Sequence, residues 1–275
     1  MTYSIIGFDP KEKEWGIAVQ SKFLGVGAVV PFAEANAGAI ATQSYANTRY
    51  GPEGLKLLKE GKTAQEVVDL LTEADEDRAF RQLGVIDAHG NAATYTGDKC
   101  YNWAGGQTGA FYAAQGNILV SEETVHAMGE TFTKTEGTLA ERLLKALEAG
   151  QNAGGDSRGQ QSAALLVVKE KGGYAGFNDR YIDLRVDDHQ QPIQELIRIY
   201  QLQQLYFAPT KKENILEMSG DLEKTLKTKL RKLGYKTDNL QEALTTYIHT
   251  ENFEGREQAK GYIDKEVLDY ILAQK

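Results

Sequence analysis

The sequence predicts an α+β fold, namely a four-layer αββα sandwich followed by a small C-terminal helical domain. Three observations predict it: apolar segments bounded by glycine, amphipathic helices in pairs, and a change in charge density near residue 210. Strands joined by short turns pair antiparallel, and no regular strand–helix–strand alternation is present. Two facing sheets with a helix pair outside each would bury every apolar stripe.

The predicted strands are short segments of β-branched, small and aromatic residues between turn signals. They are residues 2–9, 15–19, 27–35, 38–43, 82–87, 92–96, 112–119, 162–168 and 181–186.

The predicted helices show apolar residues at helical spacing and clear start signals. They cover residues 52–60, 63–74, 122–132, 139–149 and 192–206. Two of them begin with a capping box, in which the side chains of a threonine and of a glutamate three residues later bond each other's backbone N–H. These pairs are Thr63 with Glu66 and Thr138 with Glu141.

The charge distribution divides the chain into two domains, 1–210 and 211–275. Residues 211–275 hold 12 basic and 12 acidic residues, whereas the first 210 hold 19 and 27 and account for the net charge of −8. A negative protein is repelled by backbone phosphates, so we expect no nucleic-acid partner. We also expect no membrane segment and no signal peptide, and the lone Cys100 fits a cytoplasmic, reducing compartment.

Thr2 is the main catalytic candidate. Methionine aminopeptidases generally remove Met1 before a residue as small as threonine, which would leave a hydroxyl and a free α-amine on one residue. The α-amine has an unperturbed pKa of about 7.7–8.0 and can act as the base that a weak hydroxyl nucleophile requires. This arrangement is typical of N-terminal-nucleophile (Ntn) hydrolases, and the predicted element order matches that of proteasome β-type subunits.

Six sequence blocks carry a more specific resemblance over residues 2–200. They are SKFLGVG (21–27), ATQSYAN (41–47), QLGV (82–85), QGNIL (115–119), GGDSRG (154–159) and DDHxxP (187–192). Through these blocks the chain resembles the bacterial and archaeal Ntn-hydrolase-like proteins grouped as domain of unknown function 1028. The resemblance implies an Ntn fold and an amide-hydrolysing reaction, with no substrate identified.

The resemblance also implies roles for residues after the inner strands. Gln43, Ser44, Tyr45 and Asn47 lie where proteasome-like relatives place donors for the oxyanion of the tetrahedral intermediate; a packed strand end with polar turn residues is the alternative. Gln115 and Asn117 fall in the turn next to the nucleophile, and Gln43, Tyr45 and Gln115 are expected to contact substrate.

Asp156 and Ser157 resemble the pair that orients an N-terminal threonine, although a helix C-cap with an Asx turn would look the same. Lys22 follows the second strand, where its ammonium could lower the α-amine pKa or simply extend into solvent. Arg158 and Arg180 could bind a substrate carboxylate or form surface ion pairs.

Residues 213–275 predict three short helices, through apolar stripes that begin at Leu222, Leu240 and Val267. The KLGY turn (232–235) and the GYIDxxVL ending (261–268) resemble a peptidoglycan-binding domain that is often fused to this family. Glycan binding would conflict with the missing signal peptide, so a helical dimerisation or core-capping module stays open.

The leading hypothesis is therefore an Ntn-type amidohydrolase that acts on a small-molecule or peptide-like amide, with no cofactor and no metal. The consecutive Asp187, Asp188 and His189 are discounted as a metal site, because three adjacent residues cannot all point at one ion. By analogy we expect a homo-oligomer, dimer or larger. The alternative is a non-catalytic Ntn-fold protein that binds a metabolite or a cell-wall fragment.

Overall fold

A computed structural model describes residues 2–236 and 238–275. The protein is a mixed α/β chain with antiparallel sheets, and its described residues form eight α-helices. Contacts divide it into two units, residues 1–197 and 198–275. Met1, whose removal the sequence predicts, lies outside the described residues.

The described residues of the first unit form ten strands and four complete α-helices, and a fifth α-helix spans the residue 197/198 boundary. The strands are β1 (Thr2–Asp9), β2 (Glu14–Ser21), β3 (Pro31–Glu34), β4 (Gly38–Gln43), β5 (Gln82–Asp87), β6 (Ala92–Thr96), β7 (Gly105–Gly109), β8 (Tyr112–Asn117), β9 (Ser162–Val168) and β10 (Arg180–Val186). The helices are α1 (Tyr50–Lys59), α2 (Ala64–Glu73), α3 (Glu123–Lys134), α4 (Leu139–Asn152) and α5 (Pro192–Phe207).

Two antiparallel sheets organise this unit. A six-stranded sheet has the order β10-β9-β2-β1-β8-β7, and a four-stranded sheet has the order β3-β4-β5-β6. Helices α3 and α4 pack on the first sheet, and α1 and α2 pack on the second. Strand β1 is therefore central: Thr2 pairs with Ser21 on one side and with Asn117 on the other.

Strand alternation decides what lies between the sheets. On one face of β1, Tyr3 bonds α4 through Gln151, and Gly7 lies against Phe132 of α3. On the other face, Ile6 joins an apolar cluster that includes residues of both sheets. That cluster contains Ile6, Phe8, Trp15, Ile17, Val19, Ala39, Ala41 and Ile86 among others.

The structure confirms both predicted capping boxes, at Thr63 and at Thr138. The predicted strand over 27–35 is shorter than expected, because residues 26–28 form a 3-10 turn and β3 begins only at Pro31. Strand β7 was not predicted, since its sequence GGQTG has almost no strand propensity.

In the described residues, the second unit contains the three predicted helices and a small two-stranded antiparallel sheet that the sequence did not predict. The helices are α6 (Gly220–Lys232), α7 (Leu240–Thr250) and α8 (Lys265–Ala273), and the paired strands are β11 (Ile215–Glu217) and β12 (Tyr262–Asp264). Leu205 and Tyr206 of α5 pack into its core. This explains why the unit begins at 198, before the composition change near 210.

None of the helices in the described part of the chain combines the length and hydrophobicity that crossing a bilayer requires.

Candidate functional site

Thr2 lies at the start of the central strand β1, with only 4% of its surface exposed. Its hydroxyl Oγ1 donates a hydrogen bond of 3.0 Å to Ser21 Oγ on β2. Its main-chain carbonyl accepts from Gln43 Nε2 at 3.2 Å and from Asn117 Nδ2 at 3.5 Å. The residue is thus held through both its hydroxyl and its carbonyl.

A buried carboxamide network continues from Thr2 across the space between the sheets. Gln82 Oε1 accepts from Gln43 Nε2 and from Asn117 Nδ2, each at 2.8 Å. Ser4 Oγ donates to Gln43 Oε1 and accepts from Gln115 Nε2, each at 2.7 Å. All these side chains are 0–1% exposed. Their groups are neutral, so the network is polar without being charged.

Two acceptors of this network lack a partner among the described residues: Gln115 Oε1 and Asn117 Oδ1 are both buried without a hydrogen bond. Gln115 Oε1 lies against Gly84, where an added Cβ would come within 2.2 Å of it. Asn117 Oδ1 belongs to the residue that pairs directly with Thr2. A buried acceptor without a partner costs about 1–3 kcal/mol, so these oxygens are suited to receive a donor.

The Asp156 side chain contacts the backbone just after the end of β2. Its carboxylate accepts from the backbone N–H of Lys22 at 3.1 Å and forms an ion pair with Arg158, whose Nη2 is 2.7 Å from Oδ2. The side chain of Asp156 is fully buried. Burial, with the nearby Asp156 carboxylate, raises the pKa of the Tyr3 hydroxyl well above its usual value. Asp156 therefore fixes the chain segment that follows Ser21.

The Lys22 ammonium points to the surface, where it donates to the Gln160 carbonyl at 3.3 Å. It borders an open groove of about 610 Å³. The groove is lined by Lys22, Gln160, Gln161, Asp188, His189, Gln190 and Gln191. The DDHxxP block thus contributes a groove wall, and no set of three His, Cys, Asp or Glu residues in the described chain is arranged to hold a metal.

The segment after β4 has an unusual backbone. Ser44 and Tyr45 have positive φ angles of 56° and 45°, which residues other than glycine adopt rarely. Tyr45 is exposed, and its hydroxyl bonds that of Tyr101, an interaction that raises the pKa of Tyr45. The Tyr45 carbonyl accepts from Arg81 Nη1 at 2.6 Å, which holds this turn in place.

Asn47 lies in a separate cluster around Asp75. The Asp75 carboxylate accepts from Asn47 Nδ2 at 3.0 Å, from the Tyr50 hydroxyl at 2.9 Å and from Arg81 Nε at 3.0 Å. Burial would raise the pKa of Asp75, but these hydrogen bonds outweigh it and hold that pKa well below its usual range. The Asn47 amide is therefore directed at Asp75.

The structure brings Thr2, Gln43, Gln115 and Asn117 into one network, with Asp156 next to it behind Lys22. Asn47 and the Lys22 ammonium have other partners, and Arg180 forms an exposed ion pair with Asp183 at 2.8 Å. Arg158 is bound to Asp156.

Sequence reasoning missed three members of the network: Ser4, Ser21 and Gln82. A signal was present, because each is a polar residue on the inward face of a strand that is otherwise buried.

Comparison with known proteins gives two family matches. The model described as "Family of unknown function (DUF1028)" matches residues 2–196, and the model described as "Putative peptidoglycan binding domain" matches residues 206–271. Among curated proteins, none matches the chain.

Similar chains are also found among solved structures. A DUF1028 protein from Silicibacter pomeroyi shares 32% identity, with 82% of this chain and 92% of that chain covered and a TM-score of 0.68. Anbu, an ancestral beta-subunit from Yersinia bercovieri, shares 12% identity over 74% of this chain and 94% of that chain, with a TM-score of 0.34. With one family model spanning residues 2–196 and a homologous crystal structure of the same family, the chain belongs to the DUF1028 family.

Proposed function

We propose that the protein is an Ntn-type amidohydrolase whose nucleophile is Thr2, exposed by removal of Met1. One observation carries the proposal: Thr2 begins the central strand, and its hydroxyl and carbonyl are each held by buried side chains of neighbouring strands. A hydroxyl that is fixed before the reaction needs little further ordering in the transition state.

The proposed reaction has two steps. Thr2 Oγ1 attacks the amide carbonyl while its proton passes to the α-amine and then to the departing amine, which leaves an ester on Thr2. Water, deprotonated by the same α-amine, then attacks the ester carbonyl, and the proton passes from the α-amine to Thr2 Oγ1 as the acid leaves, which restores the free hydroxyl and amine. The substrate is a small-molecule or peptide-like amide.

The surrounding residues divide between two roles in this proposal. Gln43 and Asn117 donate to the carbonyl of Thr2 itself, so they position the nucleophile. Asp156 fixes the end of β2 and thereby Ser21, which bonds the hydroxyl. Donors for the oxyanion would come from the turn at Ser44 and Tyr45, whose backbone is held in the left-handed conformation.

A four-layer αββα arrangement is part of the same proposal. It is supported by the helix pairs on the two sheets and by the apolar cluster that takes residues from both. Such an arrangement would leave the ends of β1, β4 and β8 as one rim of the space between the sheets.

Intact-mass spectrometry of the protein from its native host is the first test. We expect a mass lower by one methionine residue, followed by hydrolysis of members of an amide library. The Thr2→Ala variant should lose this hydrolysis and Thr2→Ser should retain part of it. A retained methionine, which would convert the α-amine to an amide nitrogen, would contradict the mechanism.

A non-catalytic binding protein is the second candidate, and the neutrality of the network favours it. The side chains that bond Thr2 are a hydroxyl and two carboxamides, and the Asp156 carboxylate is already paired with Arg158. In that case the same carboxamides would bind a polar ligand. Binding that persists in Thr2→Ala, without turnover by the wild type, would favour this candidate.

Glycan binding by residues 206–271 is a separate proposal that rests on the second family match. Sedimentation with insoluble peptidoglycan tests it: the full chain should be found in the pellet, and a chain ending at residue 197 should stay in solution. If the full chain and the shortened chain sediment to the same extent, the dimerisation or core-capping alternative is favoured.

A further inference from the structure

Gln82 is the first residue of the QLGV block, one of the blocks that carry the family resemblance. Gln82 begins β5, where it pairs with Gln43 of β4 and with Thr96 of β6. It is completely buried. Its side chain points between the sheets and bonds both Gln43 and Asn117.

The carboxamide of Gln82 has a single allowed orientation. Its Nε2 donates to the Gly116 carbonyl at 2.7 Å, to Thr96 Oγ1 at 2.9 Å and to the Gly105 carbonyl at 3.2 Å. If the amide were rotated, Oε1 would face the Gly116 and Gly105 carbonyl oxygens, and neither of these can donate a hydrogen bond. Oε1 must therefore face the opposite side, towards Gln43 and Asn117.

That fixed oxygen in turn orients the two amides that hold Thr2. Both Gln43 Nε2 and Asn117 Nδ2 donate to Gln82 Oε1 at 2.8 Å, and both also donate to the Thr2 carbonyl. Each NH2 group has two hydrogens to direct at these acceptors, and Gln43 Nε2 also makes a longer contact of 3.4 Å with the Gln115 carbonyl. If either amide rotated, its oxygen would face the oxygens of Gln82 and Thr2. Gln82 excludes that rotation.

We propose that Gln82 is a positioning residue that acts on Thr2 through Gln43 and Asn117, by holding their NH2 groups towards the Thr2 carbonyl and leaving Asn117 Oδ1 without a partner. This inference rests on the proposed function. The free Asn117 oxygen would accept a hydrogen bond from the α-amine of Thr2 once Met1 is removed. Gln82 thus fixes the nucleophile without touching substrate.

The test measures covalent labelling of Thr2 by a β-lactone. Thr2 Oγ1 opens the lactone to form an ester, and the hydroxyl proton passes through the α-amine to the new alkoxide, so that the adduct carries the whole probe mass. Labelling rates at several probe concentrations separate the binding constant from the maximal rate. The Gln82→Met variant removes the acceptor, and Gln82→Asn keeps a carboxamide that is too short to reach both partners.

The control is Thr96→Val, which removes a hydrogen bond on the far side of Gln82 without changing Oε1. We expect both Gln82 variants to lower the maximal labelling rate at least tenfold with little change in probe binding, and Thr96→Val to stay within twofold of wild type. Thermal unfolding identifies variants that do not fold. If Gln82→Met does not fold, the labelling rate of Gln82→Asn tests the proposal.

A double-mutant cycle of Gln82 and Asn117 distinguishes a positioning role of Gln82 from a contribution to stability alone. If Gln82 acts partly through Asn117, the Gln82→Asn change should slow labelling by a smaller factor in the Asn117→Ala background than in the wild type, and an equal factor in both backgrounds would contradict this route. Folded Gln82 variants that label at the wild-type rate would overturn the positioning role while the proposed function stands. A wild-type protein that lacks Met1 and does not label at Thr2 would overturn the proposed function itself.

Discussion

The two ends of the space between the sheets differ in chemistry although both are buried. Strand β1 runs through both: Thr2 and Ser4 bond carboxamides of the facing sheet, whereas Ile6 and Phe8 enter the apolar cluster. The apolar end uses non-directional packing, and the polar end uses hydrogen bonds with one allowed arrangement. We infer that the first end supplies stability and the second holds the proposed nucleophile.

The largest expected effect is at the apolar end. Ile17 is fully buried in the cluster, so Ile17→Ala should lower the free energy of unfolding by about 2–5 kcal/mol through lost burial and a cavity. Urea unfolding measures this, and Ile17→Val, at about 0.5–1.5 kcal/mol, is the matched control. While the variant remains folded, Thr2 labelling should not change. A loss of Thr2 labelling in the folded Ile17→Ala variant would contradict the inference that the apolar end supplies stability while the polar end holds the nucleophile.

The Asp75 cluster gives a pH-dependent effect on stability. Hydrogen bonds from Asn47, Tyr50 and Arg81 hold the pKa of Asp75 below its unfolded value, so the carboxylate stabilises the fold above that unfolded value, near pH 4. This contribution should be lost as the pH falls further, towards the folded pKa.

Asp75→Asn should therefore lower the free energy of unfolding at pH 7 by about 1.5–3 kcal/mol and by less at pH 3. Urea unfolding of both proteins at the two pH values measures the difference. An equal loss at both would show that the charge of Asp75 does not contribute.

A smaller effect on stability is expected at the polar end, where Gly84 lies against the Gln115 side chain. At Gly84 an added Cβ would lie 2.2 Å from Gln115 Oε1, so Gly84→Ala should destabilise by about 1–3 kcal/mol and slow Thr2 labelling. Because the displaced group is one side chain, Gly84→Ala and Gln115→Ala should be less than additive in a double-mutant cycle. If the two losses of unfolding free energy were strictly additive, the Gly84→Ala destabilisation would not arise from contact with Gln115.

The smallest effect lies outside both ends, at the capping boxes. Thr63→Ala and Thr138→Ala each remove the side-chain acceptor of a helix N-cap and should each cost about 1 kcal/mol. Thr63→Ser and Thr138→Ser are the controls and should remain near wild type. Thermal unfolding measures both pairs, with no change expected in labelling.

Much of the fold could be predicted because its signals are local. Strand residues 82–87, 92–96 and 162–168 were predicted with the bounds that the structure has, and both capping boxes are present. Strand β7 and the β11–β12 pair were missed, since a glycine-rich strand and two three-residue strands that are distant in sequence form only by pairing with their partners. Local propensity does not contain that information.

The candidate site was harder to predict, because its contacts cross between strands distant in sequence. Gln82 reaches Asn117 over 35 residues, and Gln115 reaches Ser4 over 111. Polarity on the inward face of a strand marked these residues, but the sequence could not show which oxygen faces which nitrogen. The same limit explains Asn47, whose partner Asp75 lies beyond a helix pair.

The most direct test of the central claim is to find which residue a β-lactone labels in the wild-type protein from its native host. Peptide mapping should place a single adduct on an N-terminal Thr2, and the Thr2→Ala variant should carry none. An adduct elsewhere, or none on a protein that lacks Met1, would contradict the assignment of the polar end as a catalytic site.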